Sequence, residues 1–245
     1  MANLFDHDTG IYVPGVNFDE SNSKWTGNYF MKGDDWERDV HVECFTQQGY
    51  LMFNQDAGMR INGVSSRQAC QKSLRLYARK EYGSSHFEYP IFNNSNEDEY
   101  KRIILRSIMG AGQWDYSVIR DQVALALCDE SSIELQNSFP VIVFLDGEYW
   151  GIHDLRERLD QYYISSEYDC QSDSVVIMGN WDCPGNQEDC QSFNELKTFI
   201  DENSLESESN YEWVKTQMDI DNFIDYFVCE IFLHNYDWPG HNVTA

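Results

Sequence analysis

The sequence predicts an α+β protein in which a sheet-rich first part is followed by helices. Three observations predict it. Alternating apolar and polar residues form strand-length runs up to about residue 157; Asp146-Gly147 supplies a two-residue hairpin turn between two such runs; and from about residue 158 the apolar spacing takes the helical period. Sheet before helix suggests two lobes, with a crossover near Asp154–Asp160. The expected division is 1–38 as an extension of loops and turns, 39–157 as the sheet-rich part, and 158–245 as the helical part.

Each element follows from local pattern. Residues 1–38 are rich in Gly, Asn and Asp, which favour turns. Asp39–Phe45 alternates through Val40, Val42 and Cys44, and Gly58–Asn62 reads as a short strand. Ser73–Ala78 sets Leu74, Leu76 and Ala78 against Arg75 and Tyr77. Asp115 is placed to cap a helix with Ile119, Val123, Ala126 and Leu127 on one face. Pro140–Leu145 is an apolar strand, and Glu148–His153 is its return after the Asp-Gly turn. Ser192 and Glu195 form a candidate capping box ahead of Leu196, Phe199 and Ile200, and 203–210 reads as a loop. Asp219 then caps the strongest helix, whose apolar stripe from Ile220 to Phe232 is wide enough to bury deeply.

Composition narrows the function classes. The chain has 245 residues, 42% of them hydrophobic and 15% aromatic, enough for a substantial core. With 17 Lys+Arg against 42 Asp+Glu the formal charge is −25, so nucleic acid and anionic membrane surfaces are excluded as expected partners. A basic peptide or protein fits better; acidity also serves solubility. No stretch has the apolar length to span a bilayer, so membrane insertion is not expected. Polar residues follow Met1-Ala2, which is not a signal-peptide pattern, and a chain with its leader removed reads the same way. Cys170, Cys183 and Cys190 share one loop-rich stretch suited to a disulfide or a metal, without a fourth ligand at zinc spacing; Cys128 and Cys229 fall in apolar helical patterns and read as core.

The richest segment for chemistry is His234-Asn-Tyr-Asp237-Trp-Pro-Gly-His241-Asn242. Kinase catalytic loops place an Asp, which orients or accepts the proton of the attacking hydroxyl, five residues before an Asn that holds magnesium. Asp237 and Asn242 have that separation and follow a helix pattern. A simple Pro-Gly turn accounts for the same spacing.

The run Asp237-Trp-Pro-Gly-His-Asn242-Val resembles the corresponding segment of the CotH family, the spore-coat-H-like atypical kinases. So do Gly27–Arg38, Gly58-Met-Arg60-Ile-Asn-Gly-Val-Ser-Ser-Arg67, Gln71-Lys72-Ser-Leu-Arg-Leu-Tyr-Ala-Arg79 and Phe144–Glu157, in order along the chain. The resemblance implies a two-lobed, protein-kinase-like fold that phosphorylates proteins with ATP and Mg²⁺. It makes Asp237 the catalytic aspartate and Asn242 a magnesium ligand. It makes Lys72, opening an alternating strand, a cation for nucleotide phosphates; a solvated strand-end lysine is the plainer reading. Arg60 and Arg67 flank the turn Gly63–Ser66 and become phosphate-gripping residues, with turn scaffolding as the competing role. Glu157 is a partner for Lys72 or a wall of the nucleotide pocket, against a surface charge; Asp121 is a rival partner for Lys72. The family carries a second magnesium-binding aspartate downstream of the catalytic loop. The chain stops at Ala245 before such a stretch, so the second lobe is expected to be truncated and this piece weakly active or inactive.

Three functions follow in order of expectation. The first is transfer of the ATP γ-phosphate to Ser or Thr of a secreted, surface or coat protein, with an extracellular or cell-surface location. The second is a non-catalytic surface or structural binding protein on the same fold, using its abundant Tyr and Trp. The third is a metal hydrolase with His234, Asp237 and His241 as ligands.

Overall fold

The structure, a computed structural model, describes residues 2–93, 97–107, 119–180, 182–186, 188–236, 238–240 and 243. It divides into two compact units, Met1–Gln122 with Gln136–Arg158, and Val123–Leu135 with Leu159–Ala245. The α+β class and the sheet-then-helix order are both observed.

The first unit is built on a six-stranded antiparallel sheet. Its strands are β1 (Arg38–Phe45), β2 (Leu51–Ile61), β3 (Leu74–Tyr77), β6 (Arg102–Ser107), β7 (Ser138–Leu145) and β8 (Glu148–Glu157), in the order β1-β2-β3-β6-β8-β7. Two short strands, β4 (Phe87–Glu88) and β5 (Glu99–Tyr100), pair separately. The β7–β8 turn is the expected one: Asp146 and Gly147 have φ of 49° and 81°, the left-handed pair that matches strand twist in a two-residue hairpin. β2 is much longer than its sequence suggests. Residues 51–57 include the polar run Asn54-Gln55-Asp56, which hides the alternation, yet they pair along β1 from Val40 to Phe45.

Strand alternation sorts the faces. Leu74 and Leu76 turn one way and pack with Met59, Ile61, Ile103 and Leu155 in the core, while Arg75 and Tyr77 turn the other way. Phe87, Ile11, Leu74 and Ile103 are almost wholly enclosed, each contributing about 1.5–3 kcal/mol by leaving water. Residues 1–38 are turns and short helices, as expected, with α1 at Ala2–Phe5, but they supply core residues Leu4, Ile11, Tyr12 and Tyr29. Asn28 ties them down. Its Oδ1 accepts from Asn17 Nδ2 at 2.7 Å, and its Nδ2 donates to the carbonyls of His7 and Gly10 at 3.1 and 3.0 Å.

Gly58 in β2 makes room for a carboxylate. A Cβ there would lie 2.0 Å from Glu37 Oε1, and Glu37 is locked by Arg60, Arg79 and the Tyr82 hydroxyl. Gly58→Ala is therefore expected to cost about 1–3 kcal/mol by forcing that group out. A lowered urea midpoint at unchanged slope checks this; an unchanged midpoint counts against it.

Helix α2 (Arg120–Leu127) begins after Asp115, which lies outside the described residues. The apolar residues at this helix are exposed: Ile119, Val123 and Leu127 are 58%, 47% and 59% exposed. The reason is polar anchoring. Asp121 and Gln122 in the first turn bond to Arg156 and Asp154 of β8, and this fixes which side of the helix start faces the sheet.

In the second unit, α3 (Gln161–Glu167) is capped by Asp160, which accepts from Tyr162 N at 3.0 Å. Helix α4 (Gln191–Glu202) starts one residue before the expected capping box. Cys190, held by a disulfide to Cys183, occupies the cap position, so Ser192 is already helical and Glu195 bonds Gln191 instead. Part of the expected 203–210 loop is helix α5 (Glu208–Lys215). Helix α6 (Ile220–Phe232) forms as expected, and Asp219 accepts from Asn222 N at 3.0 Å. Its stripe is not deeply buried, however. Phe223 meets Phe227 at a tilt, ring centres 4.5 Å apart, and Phe227 meets Trp238 edge-on at 4.6 Å, while Ile224, Val228, Ile231 and Phe232 are 50–70% exposed. Cys128 is buried, Cys229 half-buried and Cys170 free and exposed.

Candidate functional site

The site is built around Lys72, two residues ahead of β3 rather than within it. Its backbone is fixed on both sides: Lys72 N donates to the Tyr12 hydroxyl at 2.9 Å, and Lys72 O accepts from His153 Nε2 at 3.2 Å. The residue is 4% exposed, so it is not a solvated strand-end lysine. Its ammonium donates to the Ala69 carbonyl at 2.8 Å and lies 4.2 Å from the centre of the Tyr29 ring and 5.3 Å from that of Tyr12. Among the described residues no carboxylate lies within ion-pair distance of it. Burial pushes the ammonium down to about 8, because leaving water disfavours the charged form more than the carbonyl and rings favour it.

The two rival partners of Lys72 are engaged elsewhere. Glu157 is buried, which removes the surface-charge reading; its carboxylate accepts from Asn137 Nδ2 at 2.9 Å. Asp121 pairs with Arg106 and with Arg156 Nη2, the latter at 2.7 Å. Arg156 also binds Asp154, so two arginines and two aspartates close on one another beside β8. Asp121 is thus held by arginines and Glu157 by the Asn137 amide, and neither forms an ion pair with Lys72.

Arg67 is a scaffold by its contacts. Its guanidinium donates to the carbonyls of Gly63, Tyr29 and Met31 at 2.6, 3.0 and 3.1 Å, and burial lowers its proton affinity. It shares Tyr29 with Lys72, so these two predicted residues are brought to one place. Arg60 is elsewhere: it bonds Glu37 and Asp34 and lies 4.8 Å over the Tyr77 ring, on the sheet face away from the core. Asp237, His241 and Asn242 lie outside the described residues. Among the described residues no group of three or more His, Cys, Asp or Glu is arranged to hold a metal.

Sequence reasoning missed His153, which is fully buried and set against the Lys72 backbone. Gln71 Nε2 lies 3.3 Å from its Nδ1 and donates to the Ile152 carbonyl at 2.9 Å. Nε2 thus carries the proton and Nδ1 accepts. Burial lowers the pKa of His153, so the folded state holds it neutral. A group with a depressed folded pKa contributes stability that is present above its ordinary value of 6.5 and lost as pH falls through the folded value. His153→Gln is expected to flatten that acid-side loss, read as urea midpoints from pH 7 down to pH 5. Parallel pH curves for both proteins would refute the assignment.

A family model described as CotH kinase protein matches residues 59–245, most of the chain. No curated protein matches the chain.

Proposed function

This chain belongs to the CotH kinase family, and on that premise we propose that it is an ATP-dependent protein kinase acting on Ser or Thr hydroxyls of a secreted, surface or coat protein. The observation that supports this reading most is Lys72: a buried cation held on tyrosine faces, with no carboxylate among the described residues placed to neutralise it. Such a group costs stability, and an anion that arrives with the substrate offsets the cost.

The described residues fit a polyphosphate. They do not by themselves assemble a magnesium site. In this reading bound ATP supplies the transferable phosphoryl group. Lys72 holds phosphate oxygens, with Tyr12, Tyr29 and the His153 contact fixing where it stands. Asp237 accepts the proton of the attacking hydroxyl, and Asn242 is the residue of this chain for a magnesium ion. Glu157 and Asp121 act through the arginines and amides they hold rather than on Lys72 directly.

A basic acceptor peptide suits a chain of charge −25. An extracellular or cell-surface location belongs to the same proposal and is supported by the Cys183–Cys190 disulfide, since such bonds persist in oxidising compartments. The runner-up, a non-catalytic binding protein, is favoured by the exposed Phe144 and Tyr149 on the β7–β8 hairpin. Calorimetry separates the two. ATP binding stronger than that of AMP, in a way that depends on Lys72, supports the kinase; absence of nucleotide binding by the folded protein supports the binding module.

A further inference from the structure

The face of the sheet opposite the core carries a ring of arginines that the phosphotransfer reading leaves unused. Register puts Arg60 opposite Arg75, and Tyr77 between Gly58 and Arg102. Four guanidinium groups surround the Tyr77 ring: Arg60 at 4.8 Å, Arg79 at 5.1 Å, Arg102 at 5.6 Å and Arg75 at 6.0 Å from its centre. This clustering is unusual in a chain with 42 acidic and 17 basic residues.

The charges are not evenly matched. Arg60 and Arg79 share Glu37 and Asp34. Arg75 meets only neutral oxygens, Asn62 Oδ1 and the Tyr77 hydroxyl, and among the described residues no carboxylate pairs with it. Its Nε is buried with no acceptor. The Tyr77 hydroxyl accepts from Arg75 at 3.2 Å, which leaves its own proton to donate. Among the described residues, two donors without acceptors therefore stand together amid several positive charges. A half-buried guanidinium in this state is normally completed by an anion. Donors converging from more than one side chain suit a tetrahedral oxyanion with several lone pairs better than a single planar carboxylate.

We propose that Arg75 and Tyr77, within the arginine ring, form a binding site for a phosphoryl oxyanion. The site stands on the sheet alone. It rests on the phosphotransfer reading only for whether that phosphate belongs to a nucleotide or is a separate inorganic ion.

The test is calorimetry of tripolyphosphate and of ATP with the full chain, Arg75→Gln, Arg75→Lys, Tyr77→Phe and the remote control Lys197→Gln. Tripolyphosphate affinity is expected to fall at least tenfold in Arg75→Gln, by a smaller factor in Arg75→Lys and Tyr77→Phe, and not in the control. A parallel loss of ATP affinity assigns the phosphate to the nucleotide. Unchanged ATP affinity assigns the site to a separate phosphate. Tripolyphosphate binding without any ATP binding supports this site and defeats the kinase reading. The site is overturned if folded wild type does not bind tripolyphosphate, or binds it no more tightly than Arg75→Lys and Tyr77→Phe. Those two conservative variants keep the test decisive should Arg75→Gln fail to fold.

Discussion

Lys72→Met is expected to make the protein more stable near pH 7 while removing most of its affinity for ATP. The sign follows from burial. The Lys72 ammonium falls from 10.5 to about 8, so keeping it charged in the fold at pH 7 costs about 3 kcal/mol. Methionine has a similar length and no charge, and it sets a thioether against the Tyr29 and Tyr12 rings. Loss of the bond to the Ala69 carbonyl and of the cation–ring contacts returns part of the gain. A net stabilisation of about 1–2 kcal/mol is expected near neutrality. In the wild type this cost fades as pH rises from about 8 through 10.5, so its stability should climb across that window and the variant's should not. Urea midpoints across pH 7–10.5, read beside calorimetric ATP affinity, check both halves. A destabilised variant with unaltered ATP affinity would make Lys72 a packing residue and remove the main support for the kinase reading.

Asp237→Asn is expected to lower the phosphotransfer rate of the protein by about 10³-fold, within the range for loss of a group that takes or orients a proton. The amide keeps the size of the carboxylate and cannot accept the proton. Binding of ATP should change little, because the role assigned to Asp237 begins at the acceptor hydroxyl. Single-turnover kinetics at saturating ATP check this. A variant with near-normal turnover would show that another carboxylate serves, and the chain has 42 acidic residues from which to supply one.

The elements legible in the sequence were those whose signal is local. The Asp146-Gly147 turn and the Asp219 cap each need a few adjacent residues, and both stand where expected. The misread elements depend on distant partners. Nothing near Asn54-Gln55-Asp56 shows that β1 will pair with it, and nothing near Val123 shows that Asp121 and Gln122 will anchor the helix start to β8. The Ser192 box had the right spacing, but the disulfide to Cys190 moved the helix start, and a seven-residue covalent loop leaves no mark on periodicity.

The candidate site divides in the same way. Lys72 and Arg67 were found through resemblance and come together at Tyr29, but their surroundings were not readable. The rings of Tyr12 and Tyr29 lie sixty and forty-three residues before Lys72. Arg60 stands apart from them for a reason of register. Its place opposite Arg75 puts it on the outer face with Tyr77. Arg75 and Tyr77 themselves read as the polar half of a strand alternation. Only the register of three strands reveals that this half is a concentration of positive charge.

The most direct test of the central claim is the fate of the γ-phosphate. The protein is incubated with ATP labelled in that phosphate, magnesium and a basic peptide containing Ser and Thr, and the products are mapped by mass spectrometry. Label is expected on Ser or Thr of the peptide, absent when Asp237 is Asn and weakened when Lys72 is Met. A folded protein that binds ATP yet leaves every γ-phosphate on the nucleotide or in free phosphate would contradict it.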